Sequence, residues 1–160
     1  MTQLRERSTR TTTRPLPDEA VLSGPSEQRA GRMPALLRTV GALAVLVVGA
    51  VHLQQYFGAD IYSVSVIGTL FLLNFAGAMV IGVGLLIPSA RLRVLHLLLA
   101  LGGIGLAATS FVFLFVSEHS SLFGFQESGY RAAIVIALAA EALAAVVLSA
   151  YVAMATRRRA

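Results

Sequence analysis

Four apolar blocks, each long enough to cross a lipid bilayer, constrain this chain more than any other feature. They run from about Pro34 to Phe57, Ile61 to Ile87, Val94 to Val116 and Tyr130 to Thr156. A hydrocarbon core of about 30 Å takes roughly 20 helical residues to span. In hydrocarbon each span must satisfy its own backbone hydrogen bonds, so helices are the expected form. The fold class predicted is all-α, a four-transmembrane-helix bundle with spans of about 36–57, 62–87, 94–116 and 130–155, enclosed in a domain over 34–156.

Composition agrees. Of 160 residues, 56% are hydrophobic and 13% charged, against about a quarter charged in a soluble domain. There is no cysteine, which excludes a disulfide framework and a thiolate metal site. All 13 basic side chains are arginine. With abundant alanine, valine and glycine, that usage fits a bacterial chromosome of high GC content.

The arginines predict the threading. Arg5, Arg7, Arg10, Arg14, Arg29, Arg32 and Arg38 precede or enter the first span. Arg91 and Arg93 lie in the middle turn, and Arg157, Arg158 and Arg159 follow the last span. Only Arg131 falls on the other side. Short arginine-rich loops are retained in the cytoplasm, so both termini are expected inside, in a bacterial plasma membrane. The net charge of +5 is explained by this placement, so no nucleic-acid partner is expected.

Residues 1–33 read as a disordered, cytoplasmic Arg/Thr-rich tail, with prolines at 15, 17 and 25 and a threonine run at 11–13. The tail is too polar and too long before the first apolar block for a cleaved signal peptide. Its arginines would be drawn to an anionic leaflet, and phosphorylation among them would weaken that attraction. Residues 157–160 form a basic cytoplasmic end.

Within lipid, helices associate through close backbone approach and interhelical polar contacts. Ala78 and Gly82, Gly103 and Ala107, and Ala133 and Ala137 each lie four apart and supply small faces. Two polar residues stand near mid-span, Asn74 in the second block and Glu141 in the fourth. A charged side chain at that depth costs about 2.5–3.5 kcal/mol on insertion scales, so Glu141 is expected to face the bundle interior or a partner chain. Their matching depth predicts a hydrogen bond between Glu141 and Asn74. One reading makes the pair a structural clamp, the other makes Glu141 a proton-exchanging or cation-binding group.

Other candidates lie nearer the span ends. His52 shares a helical face with Gln55 and Tyr56. Together with Glu118, His119, Glu127 and Asp60 it offers side chains suited to a divalent metal at the outer face, though without a diagnostic ligand spacing. A bis-histidine haem would need His52 with His119, because His96 belongs to the opposite leaflet, beside Arg93. In the loop 117–129, Leu122, Phe123 and Phe125 are expected to rest at the headgroup boundary or cap the bundle, and Glu127 to pair with Arg131. No catalytic signature is present: no G-x-S-x-G, no H-E-x-x-H, no P-loop and no dinucleotide fingerprint.

The stretches His52-Leu53-Gln54-Gln55-Tyr56, Ile67-Gly68-Thr69-Leu70-Phe71-Leu72-Leu73-Asn74, and Gly129-Tyr130-Arg131 through Glu141-Ala142-Leu143 resemble a group of small, uncharacterised four-helix integral membrane proteins of actinobacteria. That resemblance implies the four-span fold and carries over no catalytic residue. A looser similarity to DoxX-like membrane proteins rests on size and span count. The functional expectation is a non-enzymatic accessory subunit, a homo-oligomer or a member of a larger membrane complex, with no cofactor expected. The alternatives are a small proton- or cation-coupled transporter using Glu141, and a haem- or metal-binding redox protein.

Overall fold

A computed structural model describes residues 25–126, 129 and 131–157. It contains four long helices, α1 (Pro25–Gly58), α2 (Ser65–Leu86), α3 (Arg93–His119) and α4 (Ala132–Arg157), and no strand among the described residues. Each is long and apolar enough to cross a membrane. The Arg/Thr-rich residues 1–24, Glu127, Arg158 and Arg159 lie outside the described residues.

The helix ends follow from local chemistry. Between α1 and α2 the chain reverses at Asp60, held at φ 54°, and Ile61–Ser63 wind one 3-10 turn. The backbone N–H of Ser63 donates to Asp60 O at 3.0 Å and its hydroxyl to the same oxygen at 2.7 Å. This turn displaces the start of α2 from the expected residue 62 to Ser65. α2 stops at Leu86 because Ile87 precedes Pro88 and is pushed to extended backbone, ψ 116°. α3 continues through His119, three residues past the expected end, and closes where the Ser120 N–H donates to Val116 O at 2.9 Å.

α1 begins at Pro25, so residues 25–33 of the expected tail are helical. Pro25 in a first turn forfeits no hydrogen bond, and Glu, Gln, Arg and Ala at 27–30 are good helix formers. Extending an already nucleated helix requires only that modest propensity. Pro34, expected at the helix start, is instead inside it.

The helices form a ring in chain order, α1 against α2 and α4, and α3 against α4 and α2, with α1 and α3 on the diagonal. The start of α1, the end of α2, the start of α3 and the end of α4 therefore share one end of the bundle, here the terminal end. The connections α1–α2 and α3–α4 lie at the far end.

The core is built mainly from alanine and valine, Ala42, Val45 and Val48 of α1, Ala78 of α2, Ala100 and Ala107 of α3 and Ala144 of α4, with Leu85 of α2 and Leu148 and Tyr151 of α4 as its larger members. Gly82 is buried so closely that an added Cβ would meet Leu46 at 2.5 Å and the Ala42 carbonyl oxygen at 3.2 Å. In α4 the buried alanines are Ala140, Ala144 and Ala155, while Ala133 and Ala137 are half-buried. Large side chains point outward instead, among them Leu43, Leu73, Val80, Leu98, Phe111, Phe115 and Val146. A surface of that kind belongs in lipid, since a water-soluble fold would place those residues inside.

Two arginines fasten the terminal end. Arg38 of α1 donates to the carbonyl of Ile87 at 2.9 Å, just past the end of α2. Arg93 of α3 donates to the carbonyl of Ala155 in α4. The last carbonyls of a helix have no partner within it and carry the negative end of its dipole, so each guanidinium caps one helix while belonging to another.

Candidate intramembrane site

Asn74, Ser110 and Glu141 meet at one level. Each is the tenth residue from the far end of its helix, which at 1.5 Å per residue places all three about 14 Å deep. The Asn74 side-chain amide donates to Ser110 Oγ at 2.5 Å. The Ser110 hydroxyl is in turn hydrogen-bonded with the Glu141 carboxyl. Glu141 is 5% exposed. The sequence reading expected Asn74 to bond Glu141 directly; in the structure Ser110 stands between them, so the chain of bonds joins α2, α3 and α4.

This polar chain borders a cavity of about 370 Å³ in the far half of the bundle, walled by all four helices. Its walls are aliphatic and aromatic, Ile67, Phe71, Leu106 and Phe113 among them. Toward the far end the lining includes His52, Gln55 and Arg131. Gln55 is buried, its amide donating to Gln54 Oε1 at 2.5 Å. The His52 ring packs on Phe71 with centroids 4.9 Å apart. Its Nδ1 lies 2.9 Å from the carbonyl of Val48. A carbonyl only accepts, so Nδ1 carries the proton and Nε2 of the neutral ring keeps the lone pair.

The α3–α4 connection folds over this end. Leu122 and Phe125 pair through two backbone hydrogen bonds of 2.7 and 2.9 Å, and both line the cavity. The two residues between them, Phe123 and Gly124, have φ of 51° and 82°, the positive pair that a tight primed turn requires.

The other sequence candidates are dispersed. Asp60 and His119 are exposed; the His119 Nδ1 donates to the Phe115 carbonyl at 2.8 Å, and its ring rests on Phe115. Among the described residues no three His, Asp or Glu side chains converge into a metal-ligating group. The expected set of His52, Glu118, His119, Glu127 and Asp60 is thus not assembled by its described members, and the Glu127–Arg131 pair falls outside them. His96, 3% exposed, lies one turn from Arg93 on α3 and also contacts Arg38 of α1.

Ser110, the middle member of the site, was not singled out from sequence. The signal that finds it is depth, because counting from the far end puts it level with Asn74 and Glu141. Compared with known protein families, with curated proteins and with solved structures, the chain matches none.

Proposed function

We propose that this chain is a non-enzymatic multi-pass protein of the bacterial plasma membrane, both termini cytoplasmic, that holds a small and largely apolar molecule within its bundle. The observation that carries the reading is the position of the polar chain: Asn74, Ser110 and Glu141 tie three helices together at the floor of an apolar cavity. A volume of about 370 Å³ falls in the range of small-molecule sites, which combine apolar walls with a few placed polar groups. Twelve of thirteen arginines on one side support the orientation. Service as an accessory subunit, or as a homo-oligomer, is compatible with ligand binding of this kind.

The test is extraction and mass spectrometry of whatever co-purifies in mild detergent, compared between the wild type and Ala137→Phe. Ala137 lines the cavity, and phenylalanine there would fill it. A molecule held in stoichiometric amount by the wild type and lost from a well-folded Ala137→Phe is the expected result. Equal retention by both proteins would remove the reading.

A second reading is favoured by Glu141 itself, a carboxyl group in the cavity wall at mid-span: proton- or cation-coupled transport. Proteoliposomes would then show pH-dependent flux that Glu141→Gln abolishes without unfolding the protein.

A further inference from the structure

We infer that the bound molecule is a bilayer-dissolved amphipath whose polar end donates a hydrogen bond, a long-chain alcohol or amine, and that it enters sideways between α2 and α3. This rests on the cavity-binding reading above and assigns its chemistry and route.

The head-group chemistry follows from which hydrogen-bonding capacity is in use. Asn74 gives its amide N–H to Ser110, and Ser110 is in turn bonded with Glu141. The Asn74 Oδ1 is buried without a partner on a residue that lines the cavity, an acceptor for which an unmade hydrogen bond is expensive. Higher in the cavity, the proton of His52 is committed to Val48, so Nε2 is a second acceptor. Among the buried polar side-chain atoms of the described residues, the one without a partner is therefore an acceptor. A hydroxyl or amine answers it, whereas an ether or ester oxygen brings only another acceptor.

The route follows from what closes the cavity. At the far end the hydrogen-bonded Leu122–Phe125 turn lays two apolar side chains over it. At the side, α2 and α3 are the least closely packed neighbours in the ring. The residues there that both line the cavity and face outward are Leu73, 62% exposed, with Thr109 and Phe113. The surroundings at that depth are hydrocarbon, in which an alkyl chain is at home and its polar end is not.

The chain has no tryptophan, so Phe113→Trp places a single tryptophan, excited apart from the tyrosines, in the cavity wall. An ω-bromo long-chain alcohol, the corresponding amine and its methyl ether are titrated into proteoliposomes of this variant. Saturable quenching by alcohol and amine, at least about tenfold tighter than by the ether, is the expected result, the size of effect that a partner for a buried acceptor brings. An ether that binds as tightly overturns the donor assignment and leaves cavity binding standing. No saturable quenching by any probe removes both. For the route, Thr109→Phe in the same background is expected to slow association severalfold while Phe125→Ala leaves the rate unchanged. A rate insensitive to Thr109→Phe, or raised by Phe125→Ala, overturns sideways entry.

Discussion

The guanidinium of Arg38 lies along the imidazole edge of His96, its Nη1 3.0 Å from Nε2 and 2.9 Å from the carbonyl oxygen of Ile87. One side chain of α1 thereby holds the end of α2 and the first turns of α3. Replacing it with methionine keeps the aliphatic stem and removes every donor. Arg38→Met is expected to lower stability by about 1–2 kcal/mol, the value of hydrogen bonds from a charged donor discounted for partial exposure. Arg91 is exposed, and Arg91→Gln should stay within about 0.5 kcal/mol of the wild type. Equilibrium unfolding in mixed micelles measures both.

Ser110 accepts from Asn74 and is bonded with Glu141, so its removal breaks two helix-to-helix links at once. Interhelical hydrogen bonds within membranes average about 0.6 kcal/mol and reach about 1.7, which sets the expected loss for Ser110→Ala at about 1–3 kcal/mol. Asn74→Leu and Glu141→Leu share that serine as their common partner. Their effects should therefore be non-additive by at least about 0.5 kcal/mol. Strict additivity in a double-mutant cycle would mean that the three residues do not act as one chain.

Much of this architecture was legible because lipid demands long apolar blocks and leaves polar residues within them conspicuous. Asn74 and Glu141 stood out for that reason. Ser110 did not, since a serine inside a helix can satisfy its hydroxyl on a preceding carbonyl, as Ser117 does on Leu114 O at 2.8 Å. The packing face of α4 was also hidden. In a helix so rich in alanine, Ala133 and Ala137 differ from Ala140 and Ala144 only in what lies opposite them. The beginning of α1 at Pro25 was missed because its first turns are polar, and hydropathy marks where lipid begins rather than where a helix does. A cavity depends on how far two helices diverge, which no single position encodes.

The glycines separate into contact and surface positions, with opposite consequences. A Cβ on Gly49 would stand 2.7 Å from the Cβ of Ala78, at the α1–α2 crossing. Both atoms are fixed to backbone, so the helices themselves must part, and Gly49→Ala is expected to cost about 1–3 kcal/mol. At Gly105 of α3 an added Cβ meets nothing within 4 Å. Gly105→Ala should be neutral or stabilising by up to about 1 kcal/mol, the propensity difference between the two residues in a helix. Equal losses at the two sites would show that Gly105 faces a protein surface, which a second copy of the chain would supply.

Orientation is open to a direct measurement. Arg38 and Arg93 are hydrogen-bonded to helix ends, so the capping role and the expected sidedness signal coincide in the same side chains. A fluorescent protein fused after Ala160 is expected to fold and fluoresce, as it does only in the cytoplasm, and alkaline phosphatase at the same site to stay inactive. Phosphatase inserted after Gly124, at the tip of the far-end turn, should be active. The charge argument also predicts what inverts the pattern. Glutamate at Arg91 alone should leave the threading unchanged, because acidic residues contribute little to it. Removing Arg157, Arg158 and Arg159 together should yield a mixed population, since the last span then loses its own retention signal and relies on the three before it.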